Sequence, residues 1–274
     1  MTPENNRPRK NIVIVGGSLT GLMTAIPLLR LGHKVTVLER TPSSSLIDQG
    51  AGIASIPSLA PILTALSALS NNPNTISPLV DFFNEFDRTK TPFSCGELKN
   101  LRWLNNKGEV KNEVSARLAA GLREGLPGSG GCSWDLLYTI LRANFDGGLE
   151  GSYVLPAEKF ESDGEANYLD DVEVTSLREN GDQVEVLYSG GSLMADFVVG
   201  ADGPSSVVRK LLLPEEGRKY VGYVAWRGTV KETELSKETR ELLNDHVGIY
   251  QGKGTQVILC VYCQIFRKIN ADRR

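Results

Sequence analysis

Apolar positions along residues 11–40 change their period twice, and this pattern predicts a strand, a helix and a second strand. Residues 12–15 are continuously apolar, which is typical of a strand buried on both faces of a parallel sheet, and Val35, Val37 and Leu38 predict the second strand. Gly32 is predicted to end the helix, because a left-handed C-cap is easiest for glycine. The helix itself is indicated by apolar residues at the i, i+3, i+4 and i+7 positions of one face, namely Leu22, Ala25, Ile26 and Leu29.

The turn between the first strand and the helix has the sequence Gly16-Gly17-Ser18-Leu19-Thr20-Gly21, a G-x-G-x-x-G pattern with serine at the middle glycine position. Serine is small enough for phosphates to approach, and the first helical turn leaves backbone N–H groups that a pyrophosphate can bind. Glu39 ends the second strand, where a carboxylate can accept hydrogen bonds from a ribose diol. The pattern predicts a dinucleotide site, with a βαβ unit that binds nothing as the alternative. Pro27 is expected to kink the helix.

Composition and charge narrow the class of protein. The 274 residues suffice for one large domain or two small ones. With 30 basic and 33 acidic residues the net charge is -3, which offers no general attraction to nucleic acid or an anionic membrane. Four cysteines suggest no disulfide framework, so a reducing, cytoplasmic compartment is expected. The basic residues 7–10 superficially resemble a signal peptide, but the glycine turn interrupts the following apolar run. No uncharged stretch is long enough to span a bilayer.

The middle of the chain gives weaker signals. Residues 58–70 and 133–144 are predicted to be helical, the second helix capped by Ser133. Residues 101–114 indicate a β-hairpin. The small residues Gly50-Ala51-Gly52-Ile53 would let the backbone run close to a flat ligand, and a plain tight turn is an equal alternative on local evidence.

Residues 168–199 form the clearest β region. Val172 and Val174 are assigned to one strand, and Asn180-Gly181 and Gly190-Gly191 predict turns between successive strands. Residues 196–200 are expected to form another buried strand. Asp202-Gly203 follows it as an acidic turn that leads into a helix, capped by Ser205 or Ser206. A helix that begins at the carboxyl end of a strand is where open α/β sheets bind ligands.

Three motifs in this order give the chain a resemblance to a known family. They are Gly16–Gly21 with the strand end 37–40, the stretch 200–209 (GADGPSSVVR) and the stretch 220–228 (YVGYVAWRG). Together they resemble the FAD-dependent aromatic hydroxylases, the group A flavoprotein monooxygenases similar to p-hydroxybenzoate hydroxylase, and within them the branch of 2,6-dihydroxypyridine hydroxylase. The helix at 133–143 supports the same branch. The resemblance covers most of residues 11–262.

The resemblance implies an α/β fold with a Rossmann-like FAD-binding domain, of the GR2 or p-hydroxybenzoate hydroxylase type, and an interleaved β-sheet substrate domain. The implied FAD-binding domain takes residues 1–72 and 132–215, and the substrate domain takes 73–131 and 216–274. The expected C-terminal Gly-Asp motif is not found, and the last residues match no family segment, so we expect a truncated chain that lacks part of the FAD site. An arginine frequent at the start of the helix at 133–143 is also absent.

The implied activity is hydroxylation of a small aromatic or N-heteroaromatic substrate by molecular oxygen, through a flavin C4a-hydroperoxide, with NAD(P)H as co-substrate. No catalytic base is indicated, and the oligomeric state is left open, a homodimer included. The resemblance implies that the FAD pyrophosphate lies against Gly16, Gly17, Ser18, Leu19 and Gly21, and that Glu39, flanked by Arg40, binds the ribose. It places Gly52 and Ile53 along the flavin and the Val172 backbone near the adenine. Asp202 and Gly203 belong to a motif tied in the family to both FAD and NAD(P)H.

Two smaller features allow alternatives. Trp226 and Arg227 are candidate substrate contacts, because an arginine beside an aromatic ring can bind anionic aromatics; a strand pair that supports the sheet is the alternative. Cys260 and Cys263 form a lone C-x-x-C without a second ligand pair, so strand side chains are favoured over a metal site. An inactive FAD-binding remnant and an NAD(P)-dependent Rossmann dehydrogenase are the competing functional hypotheses.

Overall fold

The computed structural model describes residues 8–46, 52–54, 82, 85–91, 99–115, 131–228, 230–244 and 246–260. The predicted helix at 58–70, the Gly50-Ala51 pair and Cys263 lie outside these residues. The chain divides into two compact units. The first comprises Met1–Gln49, Phe86–Thr91 and Leu137–Ala225, and the second comprises Gly50–Glu85, Pro92–Leu136 and Trp226–Arg274. Among the described residues, no helix has the length and apolar character needed to cross a membrane.

The described residues form strands, α-helices and two short 3-10 turns, labelled here in chain order. The strands are β1 Asn11–Val15, β2 Lys34–Leu38, β3 Gly52–Ala54, β4 Asn100–Leu104, β5 Val110–Ser115, β6 Gly131–Ser133, β7 Glu165–Leu169, β8 Val174–Asn180, β9 Gln183–Tyr188, β10 Gly191–Ala195, β11 Phe197–Gly200, β12 His246–Gly252 and β13 Thr255–Cys260. The α-helices are α1 Leu19–Arg30, α2 Ser43–Leu46, α3 Trp134–Phe145, α4 Val207–Leu212 and α5 Lys237–Leu243, and the 3-10 turns are Gly203–Ser205 and Glu232–Glu234.

A four-stranded parallel sheet in the order β11-β1-β2-β7 organises the first unit. Its two central strands carry the predicted apolar runs, and Ile14, Val35 and Val37 are fully buried. Parallel strands need a crossover connection, which α1 supplies between β1 and β2. The predicted βαβ unit and the α/β fold class are therefore confirmed.

Helix α1 has the length and the buried face that its periodicity predicts. Leu22, Ala25, Ile26 and Leu29 are its buried apolar residues, together with Gly21. Gly32 follows the helix with φ +89°, its N–H donates to the Leu29 carbonyl, and the N–H of His33 donates to the Leu28 carbonyl. These two bonds form a Schellman motif, so the predicted glycine C-cap is confirmed.

A three-stranded antiparallel sheet, in the order β10-β9-β8, also belongs to the first unit. The predicted turns at Asn180-Gly181 and Gly190-Gly191 are confirmed, because they join β8 to β9 and β9 to β10. The apolar side chains of both sheets meet in one core, which also includes one residue of α4. That core consists of Val13, Val15, Leu38, Val174, Val186, Ala195 and Val208.

Two predictions about strands in this region are wrong. Strand β8 begins at Val174, so Val172 lies outside it. Strand β11 forms at the predicted place but is not buried, since it is an edge strand in the sheet and the Phe197 side chain is 58% exposed. A continuous apolar run indicates a strand, but it does not reveal how many neighbours that strand has.

The second unit contains a sheet in the order β13-β12-β4-β5 and a short antiparallel pair formed by β3 and β6. The hairpin predicted at residues 101–114 is confirmed as β4 and β5. Residues 220–228, the third family motif and part of the predicted β-sheet substrate domain, form no strand in the structure. Most of its large apolar side chains are well exposed, those of Tyr220, Tyr223 and Trp226 among them.

A buried group of charges lies beneath the first unit's surface. The Asp163 carboxylate, only 6% exposed, accepts hydrogen bonds from Arg30 at 2.8 Å and from Arg88 at 2.7 Å. The backbone N–H of Phe160 donates to the same oxygen at 3.0 Å, and the Arg88 guanidinium lies 3.8 Å from the centre of the Phe160 ring. Two cations therefore depend on one carboxylate for their charge partner.

Candidate functional site

The residues predicted to bind a dinucleotide gather at one edge of the parallel sheet. The glycine turn follows β1, Glu39 follows β2, and Asp202 comes two residues after β11. These three strands run parallel, so their carboxyl ends lie at the same edge. Open α/β sheets bind ligands at this edge, in the crevice outside the strand ends.

At two positions of the glycine turn, backbone atoms leave no room for a side chain. Gly16 has φ +102°, and a Cβ there would overlap the Ala201 carbonyl and lie 2.9 Å from the Asp202 Cα. A Cβ on Gly21 would overlap the carbonyl oxygen of Gly16. Both obstacles are backbone atoms, which cannot step aside as a side chain can. The pattern therefore places the first turn of α1 directly against the ends of β1 and β11.

The Glu39 side chain is held between two backbone amides. Its Oε2 accepts a hydrogen bond from the N–H of Gly17 at 2.7 Å, and its Oε1 accepts one from the N–H of Thr41 at 2.8 Å. Glu39 is 7% exposed. Each carboxylate oxygen has a second acceptor position, so the bound carboxylate can still receive two hydroxyl donors.

The N-terminus of α1 offers hydrogen-bond donors. Ser18 occupies the N-cap with an extended backbone, but its side chain makes no capping hydrogen bond within the described residues. The Ser18 carbonyl accepts the N–H of Leu22, the first residue with a full intrahelical bond. The N–H groups at residues 19–21 come before that bond, and an anion at the turn would satisfy them.

Asp202 caps the helix that follows it. Its Oδ2 accepts hydrogen bonds from the N–H of Val207 at 2.6 Å and from the N–H of Val208 at 3.3 Å. Ser206 accepts the N–H of Arg209 at 2.9 Å, so of the two predicted capping serines Ser206 is the one that acts. The acidic turn thus fixes the start of α4, and a direct contact of Asp202 or Gly203 with a cofactor stays a prediction.

The remaining predicted residues of the first unit lie near Glu39 in the chain or in space. The N–H of Val172 donates to the Glu39 carbonyl at 3.0 Å, so its backbone reaches this edge from the loop between β7 and β8. Arg40 follows Glu39 and is exposed. Their predicted contacts with adenine and ribose remain predictions.

A cluster that sequence reasoning missed supports the glycine turn. The Tyr168 hydroxyl donates to the Gly17 carbonyl at 3.0 Å and lies 3.1 Å from the Tyr138 hydroxyl. Arg142 donates to the Tyr138 hydroxyl at 2.9 Å, and its guanidinium stacks 3.6 Å from the centre of the Tyr168 ring. Arg142 also donates to both carboxylate oxygens of Asp146. The residues around Tyr168 predict only a strand flanked by acidic residues, and this local pattern does not identify the partner of the tyrosine.

Burial and charge fix the protonation of this cluster. Burial, together with the hydrogen bond to Tyr138, raises the pKa of Tyr168, so its hydroxyl remains a donor at neutral pH. Burial alone would lower the pKa of Arg142, but the hydrogen bond and charge of Asp146 raise it. Hydrogen bonds from the Ser43 side chain and from its backbone N–H lower the pKa of Asp170, which holds the loop after Glu39.

The predicted flavin-side residues belong to the second unit. Gly52 and Ile53 lie on β3, whose antiparallel partner β6 sets Gly52 opposite Ser133 and Ile53 opposite Cys132. The Ser133 Oγ accepts the N–H of Leu136 at 3.0 Å, which confirms its predicted role as a helix cap. The two stretches that the resemblance relates to the flavin, Gly52-Ile53 and the start of the 133–143 helix, are thus joined through the backbone pairing of β3 and β6.

The candidate substrate residues carry no supporting geometry. Trp226 is 92% exposed, and both Trp226 and Arg227 lie in a stretch without helix or strand. The alternative of a strand pair in the sheet is wrong for the same reason. A role in substrate binding stays a prediction.

Comparisons with known proteins identify relatives of this chain. Residues 11–52 match the family model described as pyridine nucleotide-disulphide oxidoreductase, and residues 220–264 match the model described as FAD binding domain-like. The chain is 28% identical over 246 residues to the 2,6-dihydroxypyridine 3-monooxygenase of Paenarthrobacter nicotinovorans. That match covers 89% of this chain and 48% of the relative, so the chain spans about half the length of the curated relatives it matches.

Solved structures share the fold. The 2,6-dihydroxypyridine-3-hydroxylase from Arthrobacter nicotinovorans superimposes with a TM-score of 0.57 and 22% identity, over 92% of this chain and 55% of that one. Klebsiella pneumoniae HpxO, solved in complex with FAD, gives a TM-score of 0.56 and 20% identity, over 92% and 54%.

Proposed function

We propose that this chain, which is related to the FAD-dependent aromatic monooxygenases, binds the adenosine diphosphate half of FAD at the carboxyl edge of its parallel sheet. The relationship confirms the family resemblance that the motifs predicted. The observation that carries the proposal is the Glu39 carboxylate, buried between the Gly17 and Thr41 amides beside the glycine turn.

The carboxylate suits a ribose. Its two backbone bonds fix its position and leave one acceptor position on each oxygen, which matches the two adjacent hydroxyls of a ribose diol. Because these bonds already hold Glu39, little conformational freedom would be lost on binding, and such preorganisation favours affinity. Arg40 would flank the ribose from its exposed position.

The glycine turn suits a pyrophosphate. Gly16 and Gly21 allow α1 to begin tightly against the sheet, and Ser18 leaves the first-turn N–H groups without a side-chain cap. A phosphate at this point would accept those N–H groups and would gain from the positive end of the helix dipole. In this arrangement the turn binds charge through its backbone, with no basic side chain required.

We further propose that the protein hydroxylates a small aromatic or N-heteroaromatic substrate. When bound, FAD would supply the redox chemistry, because it can take a hydride from NAD(P)H and, once reduced, activate molecular oxygen. The dihydroxypyridine in the name of one relative supports the substrate class. The chain's residues would bind and orient the cofactor and the substrate. Gly52 and Ile53 would lie along the flavin, and Val172 would lie beside the adenine. Asp202 and Gly203 would lie near the nucleotides, and Trp226 and Arg227 would contact the substrate.

A competition experiment tests the nucleotide proposal. The purified chain is titrated with FAD while flavin fluorescence is followed, and then challenged with ADP, FMN or NAD+. We expect ADP to displace FAD and FMN to leave it bound, because the proposed site holds the adenosine half. Tighter binding of NAD+ than of FAD would instead favour an NAD(P)-dependent dehydrogenase. Activity is tested separately, as oxygen consumption that requires both NAD(P)H and an aromatic substrate.

Glu39→Gln is expected to weaken FAD binding by roughly 10- to 100-fold, since a hydrogen bond to a charged group contributes about 1.5–3 kcal/mol. The glutamine NH2 would face the N–H of either Gly17 or Thr41, donor against donor. Fluorescence titration gives the Kd. Glu165→Gln makes the same chemical change on an exposed carboxylate of β7 and should leave the Kd unchanged. Equal Kd values for Glu39→Gln and the unaltered chain would remove Glu39 from the site.

A further inference from the structure

A continuous chain of hydrogen bonds runs from a buried cation to the glycine turn. It begins at Arg142, passes through the hydroxyls of Tyr138 and Tyr168, and ends at the carbonyl oxygen of Gly17. The three links measure 2.9, 3.1 and 3.0 Å in that order. Arg142 is itself fixed by Asp146 and by the Ser43 hydroxyl, so the starting point does not move freely.

Only one direction of donation satisfies every group in this chain. The Gly17 carbonyl can only accept, so the single hydrogen of the Tyr168 hydroxyl points toward it. The Tyr138 hydroxyl must then donate to the Tyr168 oxygen, and the Arg142 guanidinium, which has no acceptor, donates to Tyr138. All dipoles in the chain therefore point the same way, and bonds aligned in this manner polarise one another.

The last link fixes a peptide group that faces the proposed pyrophosphate. In a trans peptide the C=O of residue 17 and the N–H of residue 18 point in opposite directions. Once Tyr168 holds the Gly17 carbonyl, the N–H of Ser18 must point away from Tyr168. That N–H belongs to the N-cap of α1, next to the uncapped first-turn donors.

The Tyr168 hydroxyl is in close contact with the backbone of the glycine turn. A Cβ on Gly17 would overlap the Tyr168 hydroxyl, so the hydroxyl is packed directly against the turn backbone. The ring of Tyr168 is held independently by the stacked Arg142 guanidinium. Loss of the hydroxyl alone would therefore leave the ring in place, release the Gly17 peptide and remove the acceptor of the Tyr138 hydroxyl.

We propose that Tyr168 is a positioning residue for the dinucleotide pyrophosphate: its hydroxyl, polarised through Tyr138 by Arg142, orients the Gly17–Ser18 peptide so that the Ser18 N–H is presented to phosphate. The inference rests on the proposed FAD site. It adds a contact through a residue more than 140 positions from the turn, supplied by the strand next to β2.

The test compares ligands that have and lack the pyrophosphate. Tyr168→Phe is titrated with FAD, ADP and adenosine, and Tyr188→Phe, which removes a hydroxyl from β9, is the matched control. We expect FAD and ADP to bind Tyr168→Phe roughly 5-fold more weakly, the equivalent of one hydrogen bond of about 1 kcal/mol, while adenosine affinity stays the same. The Tyr188→Phe variant should bind all three ligands normally.

Each other outcome has a defined meaning. An equal loss for adenosine and ADP would show a general structural role and overturn the inference, as would unchanged FAD and ADP binding. If Tyr168→Phe does not fold, Tyr138→Phe takes its place, because it removes the polarising donor and leaves the Tyr168 bond to Gly17; the same ligand selectivity is expected, with a smaller loss. Failure of the unaltered chain to bind FAD or ADP would refute the proposed function itself. Titration of the unaltered chain alone gives that result, so the two failures are distinguishable.

Discussion

Gly16→Ala is expected to destabilise the first unit by on the order of 3–5 kcal/mol and to abolish FAD binding. Two costs add up. A φ of +102° is unfavourable for alanine, at about 1–3 kcal/mol. The new Cβ would also overlap the Ala201 carbonyl and lie 2.9 Å from the Asp202 Cα, which forces backbone to move at about 1–3 kcal/mol or more. Thermal or urea unfolding measures the first effect, and FAD titration measures the second.

Gly181→Ala is the matched control for this substitution. Gly181 also has a positive φ, +63°, but a Cβ there would have no heavy atom within 4 Å. It lies in the turn between β8 and β9, and we expect only the backbone cost of about 1–2 kcal/mol. If the two variants lose equal stability, the close approach of Gly16 to the end of β11 is not what requires glycine.

Asp163→Asn is expected to cost about 3–5 kcal/mol of unfolding free energy, because removal of one partner leaves buried charges uncompensated. Arg30 and Arg88 would both lose their carboxylate, and neither side chain is well exposed. For a chain of this size that corresponds to a fall in melting temperature of roughly 10 °C. Glu165→Gln removes a carboxylate from an exposed pair with Lys34 and should leave the melting temperature nearly unchanged.

The same carboxylate gives a pH signature. Burial would raise the pKa of Asp163, but the Phe160 N–H, the Arg88 hydrogen bond and the Arg30 charge outweigh burial and hold it below its ordinary value. A depressed folded pKa means stabilisation that is complete above the unfolded value of about 3.9 and is lost as the pH falls through the folded pKa. The gap in melting temperature between the unaltered chain and Asp163→Asn should therefore narrow in acid. A constant gap down to strongly acidic pH would contradict this assignment.

The opening βαβ unit was predictable because its signals are local. The apolar runs of β1 and β2, the buried face of α1 and the glycine at its end each depend on residues only a few positions apart. Glu39 was placed correctly at the end of β2 by the same reasoning, since strand length fixes where the strand ends. Such features follow from period and capping alone.

The support beneath the glycine turn was not predictable in the same way. Tyr168 reaches Gly17 only because β7 pairs with β2, with Val37 opposite Tyr168. Nothing in the residues near Tyr168 names its neighbouring strand, and a parallel register between distant segments leaves no short-range pattern. The contact of Arg142 with Tyr168 was not predictable for the same reason, because Tyr168 belongs to another element.

The errors in strand assignment have a related cause. Phe197 and Tyr220 belong to apolar stretches that favour β structure, but exposure depends on which strands or helices lie beside them. In the structure Phe197 lies on an edge strand and Tyr220 has no strand at all. The residue types of a stretch indicate its tendency to form a strand, but the neighbouring strands in the folded sheet decide whether it pairs and how far it is buried.

The most direct test of the central claim is whether the chain retains flavin. Purified protein is incubated with excess FAD, separated from free ligand by gel filtration, and examined by visible absorption and circular dichroism. We expect the folded protein fraction to carry one flavin per chain, and Glu39→Gln to carry less. Folded protein that elutes colourless, with all the FAD in the small-molecule fraction, would contradict the proposed dinucleotide site.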